Sequence, residues 1–327
     1  GMGNKNIHLV PVVYEHAAAF VGKTPWEVAY NSKLLAKAHE AAWKEYHHPS
    51  ITVGIDVYNL EAECYGAKVE RPEGMEVPSI KEYPYQSCEE ISQLPFFDPE
   101  KAGRFPLIFE AAETLRKTLG DIDLRVPLGG PFSIASNLIG FENLLIETIS
   151  DPATVKSTLI HLAEGQLHIA RAGKERGFGV TFFESAATPP LLSPELFREV
   201  ELPALQVVME GTAAMYSERP VFIMGGDTLP VLPDVLACKP SFIICPGETD
   251  QVAFMDYMKA HREVRVRINM VVEIVAHGSE EELWQECKRV FEIAKDFDPL
   301  LIGTGVLPYN VSPSRVHLLE QFVKELL

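Results

Sequence analysis

Apolar residues gather along the chain in eight short clusters, each leading toward a stretch with helical spacing. The clusters fall at residues 9–14, 51–56, 124–128, 180–184, 221–224, 242–245, 264–269 and 300–303. They read as strands. Helical patterns separate them, at about 25–46, 140–176, 194–217, 229–238, 251–261, 279–295 and 313–326. Thr24-Pro25, Ser193-Pro194-Glu195 and Ser312-Pro313 are helix starts, with a capping hydroxyl ahead of a proline whose missing N–H costs nothing there. Strand–helix alternation predicts a parallel sheet. Eight such units favour closure into a single α/β (β/α)8 TIM barrel spanning residues 1–327 over an open doubly wound sheet.

One stretch breaks the rhythm. Residues 57–122 hold Pro72, Pro78, Pro84 and Pro95, then a helix near 100–119. They read as an insertion after the second strand, at the catalytic mouth of the barrel. There it forms either a lid or wall, or a decorative subdomain.

Strand alternation then sorts the polar residues. Ile51, Val53 and Ile55 face the helices, which turns Thr52, Gly54 and Asp56 toward the axis. Likewise Val264, Val266 and Ile268 pack outward, and Arg265, Arg267 and Asn269 point inward, with Asn269 at the mouth. Arg125 turns inward between Leu124 and Val126. Charges inside a barrel need partners, because desolvating an isolated charge is costly. Asp56 and Glu184 are the expected partners of Arg125 and Arg267, and Arg265 is read as part of an axial ion-pair network. Further strand-top candidates are Glu15, His16, Asp227, Cys245, Glu248 and Thr304. The His47-His48 pair reads as a helix C-cap. Gly129-Gly130-Pro131-Phe132-Ser133 offers a backbone that can approach a ligand closely. Gly225-Gly226-Asp227-Thr228 is a tight turn feeding a helix, with Asp227 as cap or ligand.

Composition narrows the partners. Net charge is −17, which argues against nucleic acid and anionic membrane surfaces. No uninterrupted apolar run is long enough to span a bilayer. The five cysteines are odd in number and lack CxxC spacing, which favours a reducing cytoplasm over a disulfide framework. The opening Gly1-Met2-Gly3 lacks the blocks of a signal peptide and reads as a tag-cleavage scar. There is no Walker, Rossmann, HExxH or GxSxG motif.

Several segments together resemble the uroporphyrinogen decarboxylase superfamily. Asp56-Val57 through Glu61-Ala62-Glu63-Cys64-Tyr65-Gly66 resembles its aspartate strand and following turn. Gly130-Pro131-Phe132-Ser133, the stretch from Ser185 through Ser193-Pro194, Gly226-Asp227-Thr228, Ile268-Asn269-Met270 and Gly303-Thr304-Gly305-Val306 resemble its other motifs, in order and at similar spacing. The resemblance covers nearly the whole chain and implies one of two activities. One branch decarboxylates uroporphyrinogen, using the strand aspartate, a tyrosine, a histidine and N-terminal arginines. The other moves methyl groups between small donors, corrinoid proteins and thiols, typically with zinc.

The sequence departs from both. Asn137 falls at the tyrosine position and Thr304 at the histidine position, and Tyr14-Glu15-His16-Ala17-Ala18 replaces the arginines. The usual zinc ligands fall at Ile223, Gly225 and Thr304, so any zinc here needs other ligands, with Glu184, Asp227, Cys245 and Glu248 as candidates. The wording of the motifs is closer to the methyltransferase branch. The resemblance therefore implies a corrinoid-dependent methyltransferase acting on a small methyl donor, with the corrinoid carried on a partner protein or serving as methyl acceptor, and a homodimer as the assembly. Asp56 and Asn269 would orient the substrate and Glu184 or Asp227 would act as acid or ligand. His16, Gly130, Asn137, Arg267 and Thr304 would contact substrate. The alternatives are decarboxylation of a tetrapyrrole or small acid, and a corrinoid- or tetrapyrrole-binding protein without catalysis.

Overall fold

A computed structural model describes residues 6–327; the Gly1-Met2-Gly3 segment lies outside the described residues. The eight predicted strand regions form one parallel sheet. In chain order the strands are β1 (Ile7–Val12), β2 (Ser50–Thr52), β3 (Val69–Glu70), β4 (Ser79–Ile80), β5 (Asp123–Gly129), β6 (Gly179–Glu184), β7 (Val221–Met224), β8 (Phe242–Cys245), β9 (Arg265–Asn269) and β10 (Leu300–Val306). The large sheet runs β1-β10-β9-β8-β7-β6-β5-β2, while β3 and β4 form a separate antiparallel hairpin. The arrangement is a TIM-barrel-like (β/α)8 fold.

The ring has a seam. Among the described residues no ladder joins β1 to β2, the two ends of the strand order. Both edges nonetheless line one internal cavity, through Val10 and Val12 on one side and Ser50 and Thr52 on the other. Side chains face each other across the gap: the Tyr14 phenol just beyond β1 neighbours Thr52 of β2.

β2 is half its predicted length. The chain leaves it at Gly54, whose φ of 151° suits glycine, and a Cβ there would lie 3.3 Å from Val57 Cγ1. This turn breaks the alternation, so Ile55, Asp56 and Val57 all reach the cavity.

Capping explains the helix starts. Thr24 and Glu27 form a reciprocal capping box, and Ser193 and Ser312 accept backbone N–H bonds at their helix starts. The run expected at 25–46 is split into Pro25–Ala29 and Ser32–Tyr46, because Asn31 caps a new helix, which His47 then ends in the left-handed conformation. The helix Phe105–Leu119, expected within the insertion, packs on Ser32–Tyr46 and on β5. It belongs to the outer helix layer, and the irregular segment is 57–104. No helix among the described residues is long and apolar enough to cross a membrane.

Candidate active site

A cavity of about 550 Å³ runs along the barrel axis. Its floor includes Asp123, Ser241 and Arg265 at the amino ends of their strands. Its upper wall holds Tyr14, Glu15, Asp56, Tyr58, Phe183 and Asn269. The insertion adds Val77 to the mouth, opposite the exposed Val306 of β10. The inward set predicted from alternation is present: Thr52, Asp56, Arg125, Arg265, Arg267 and Asn269 all line this space.

Their expected pairing is not the observed one. Asp56 meets neither Arg125 nor Arg267. Arg104, at the end of the insertion, donates from Nη1 to Asp56 Oδ1 at 2.8 Å and from Nη2 to Oδ2 at 2.7 Å. Its Nε donates to Glu63 Oε1 at 2.6 Å, and its guanidinium lies over the Tyr30 ring. Asn59 Nδ2 donates to Asp56 Oδ2 at 2.9 Å and to the Pro78 carbonyl at 2.8 Å. Asp56 thus stitches the insertion to the barrel, and its charge is balanced before any ligand arrives.

Arg125 is occupied by hydroxyl and carbonyl groups. Its Nε donates to Thr181 Oγ1 at 2.9 Å, Nη2 donates to the Val180 carbonyl, and Asp123 lies 3.3 Å from Nη1. Thr181 Oγ1 in turn sits 3.1 Å from Thr52 Oγ1, and the Tyr14 phenol neighbours Thr52. Arg267 has no carboxylate partner among the described residues. Its Nε donates to Asn269 Oδ1 at 3.1 Å. Enclosure by the barrel wall holds its guanidinium down to about 10, partly offset by the neighbouring Tyr14. Arg265 is exposed at the floor and belongs to no ion pair among the described residues. Burial raises the carboxyl of Glu15 above its ordinary range.

Other residues singled out in the sequence stand outside the cavity. Thr181 and Phe183 of β6 face inward, so Glu184 faces the helices. There Ser133 donates to it, and it shares a fully buried carboxyl pair with Glu201 on the π-helical turn Phe197–Glu201. Burial raises both carboxyls, and the Glu184 charge raises Glu201 further. Gly130 makes room for Glu184 and does not meet a ligand: its Cβ would lie 1.9 Å from Glu184 Oε2. The same parity turns Thr304 outward, where its Oγ1 accepts from Val12 N at 3.1 Å. His16 is buried between Tyr46 and the Pro308 carbonyl, at 2.7 and 3.1 Å. Asn137 donates to the Tyr58 carbonyl at 3.0 Å and holds that loop from behind.

The zinc candidates do not converge. Cys245 follows the inward Ile244 and so packs among the helices. Asp227 is exposed and accepts from Thr249 Oγ1 at 2.8 Å, and Glu248 is exposed on the next loop. Among the described residues no group of three His, Cys, Asp or Glu side chains is placed to hold a metal ion. A zinc ion does not fit the donors proposed for it.

Tyr14, Tyr58, Phe183 and Arg104 are the site residues that sequence reasoning passed over. Tyr14 and Tyr58 both meet Phe183 edge-on, with centroids 5.6 and 6.0 Å apart. For Tyr14 the signal was present, at the end of the first apolar cluster.

A parallel barrel whose cavity opens among the carboxyl ends of its strands has the layout of a barrel enzyme. The family model described as uroporphyrinogen decarboxylase (URO-D) matches residues 2–326, and the chain belongs to this family. A curated relative, the methylated-thiol–coenzyme M methyltransferase of Methanosarcina mazei, is 25% identical over 179 residues. That match covers 54% of this chain and 47% of the relative, about half its length. A solved structure described as a methyltransferase from Methanosarcina mazei is 20% identical, with a TM-score of 0.81 over 97% of this chain and 94% of that one. This likeness shows the shared fold.

Proposed function

We propose that this chain is a methyltransferase that takes a methyl group from a small donor in the axial cavity and passes it to a corrinoid, free or carried on a partner protein. The observation that carries the reading is the supply of cations. Uroporphyrinogen is an octacarboxylate and needs many positive partners. Arg104 is committed to Asp56 and Glu63, Arg125 to its own strand neighbours, and only Arg267 faces the upper cavity without a carboxylate. Such a site suits a small ligand bearing little charge, and the relatives named as methyltransferases agree with it.

A corrinoid supplies the nucleophile for the methyl group. The carbon–heteroatom bond of the donor breaks, and the heteroatom keeps the electron pair and takes a proton. Glu15 is the group at the mouth able to deliver that proton, since burial keeps its carboxyl protonated to higher pH. Tyr58, Val77 and Val306 form an apolar rim where the acceptor can approach. The zinc donors do not fit, and no step is assigned to a metal. The five unpaired cysteines accord with a reducing cytoplasm.

The test is methyl transfer to cob(I)alamin, followed by its absorbance, over methoxylated, methylamine and methylthio donors. Turnover with at least one donor is expected. Silence across the panel, together with decarboxylation of uroporphyrinogen seen by product chromatography, overturns the reading. Ligand binding without any turnover would favour a non-catalytic binding protein.

A further inference from the structure

Arg267 stands halfway along β9, and its surroundings leave it a free cation. Its neighbours in register are Ile244 of β8 and Leu301 of β10, neither of which offers an acceptor. The guanidinium lies 5.6 Å from the Phe242 ring centroid. Only Nε has a partner, Asn269 Oδ1, and no carboxylate among the described residues reaches ion-pair distance. Both terminal nitrogens are left to the cavity. A guanidinium presents a planar fork of N–H donors that matches an oxyanion.

The barrel wall is shaped around this pair. A Cβ on Gly303 would lie 2.1 Å from Asn269 Oδ1 and 2.6 Å from Arg267 Nε. Only glycine lets the two side chains lie as they do. A chain of hydroxyls supplies another donor. Thr181 accepts from Arg125 Nε at 2.9 Å, and its hydroxyl lies 3.1 Å from that of Thr52, where either oxygen can donate. The Tyr14 phenol, a possible donor, neighbours Thr52 and Arg267 and lines the same cavity. The same cavity also offers apolar faces, at Phe183, Ile223 and Ile244.

We infer that Arg267, Asn269 and Tyr14 form an anion seat, and that the natural ligand is a small organic monoanion, a carboxylate or a sulfonate. It binds with its charged head at Arg267 and its apolar tail toward the mouth. The inference deepens the methyltransferase reading and rests on it for one point, that the methyl group is carried at the tail. Binding of the head group does not depend on the reaction.

The test is calorimetric titration of the purified full chain with 3-methoxypropionate, 3-methoxypropane-1-sulfonate and neutral 3-methoxypropionamide. The anions bind and the amide binds at least about tenfold more weakly. The stronger of the two anion arms names the head group. Arg267→Gln weakens anion binding about tenfold or more and leaves the amide unchanged. Asn269→Asp guards against a variant that simply fails to fold. It supplies an internal counter-ion, so it raises the melting temperature while abolishing anion binding. Equal binding of amide and anions, no binding of either anion, or anion affinity retained in Asn269→Asp overturns the seat. Methyl transfer from neutral donors alone removes the seat and keeps the reaction. Anion binding without methyl transfer does the reverse.

Discussion

Arg104 and Asp56 form a bidentate ion pair, with both nitrogen–oxygen contacts at 2.8 Å or less, across 48 residues of chain. Both groups are almost fully buried, with side chains 6% and 2% exposed. Removing one partner leaves the other charged and enclosed. Asp56→Ala is expected to cost about 3–5 kcal/mol of stability. It should loosen residues 57–104 toward protease before the barrel itself yields. Urea unfolding and limited proteolysis measure both effects. A variant that stays fully stable and loses only turnover would show that the carboxylate acts on substrate instead.

The contact of Gly130 with Glu184 gives a second expectation. Gly130→Ala drives a methyl group into a buried carboxyl that already touches Ser133 and Glu201. A loss of about 3 kcal/mol or more is expected, at the upper end of overpacking costs. Shortening the obstruction in the double variant Gly130→Ala, Glu184→Ser should recover part of it, which thermal unfolding of the set can read.

Acid–base linkage is testable at Glu61. Its Oε2 accepts from Gly129 N and Gln166 Nε2, both at 2.7 Å, while Oε1 has no partner. Burial raises the carboxyl from 4.5 to about 7. Below pH 4.5 folded and unfolded chains are both protonated, and the contribution is whole. Between 4.5 and about 7 only the unfolded chain gives up the proton, so stability falls as pH rises, by about 3 kcal/mol in all. Glu61→Gln should gain by about that amount on wild type between pH 5 and pH 8. His39 and His48, held down to about 3 and about 4 by burial, act with the opposite sign as pH falls below 6.5. They are common to both proteins and cancel in the comparison. A gap that does not change with pH would refute the assignment.

Glu15 is the proposed proton donor. Glu15→Gln keeps its size and removes the proton, so kcat for methyl transfer should drop by about 100-fold or more with little change in KM. Because the carboxyl titrates above its ordinary range, the wild-type rate should decline on the alkaline side of that titration. The variant should lose this limb. A donor with a good leaving group, which needs no proton, should be transferred equally well by both proteins.

Much of the barrel is written in local pattern. Apolar clusters and capping hydroxyls located strands and helices, and parity placed Arg125, Arg267 and Asn269 on the axis. Parity applied equally to β6, β8 and β10 would have turned Glu184, Cys245 and Thr304 outward; their place near the strand tops and the need for charge partners drew attention to them instead. The Arg104 clamp had no local signal, since it depends on how the insertion folds back over 48 residues. Gly54 ended β2 early for a conformational reason that alternation does not register. His16 looked like a residue of the rim but belongs to a short helix, Glu15–Ala19, that turns it beneath Tyr46.

The seam between β1 and β2 makes the bore of this ring adjustable. Elsewhere adjacent strands are fixed at the spacing of main-chain ladders, which side-chain changes cannot alter. Here the gap is flanked by the side chains of Tyr14 and Thr52, so the girth of the chamber is set by residue identity at two positions. Exchanging them resizes the chamber without redrawing the fold, which makes this side of the wall the natural place to retune what the protein accepts.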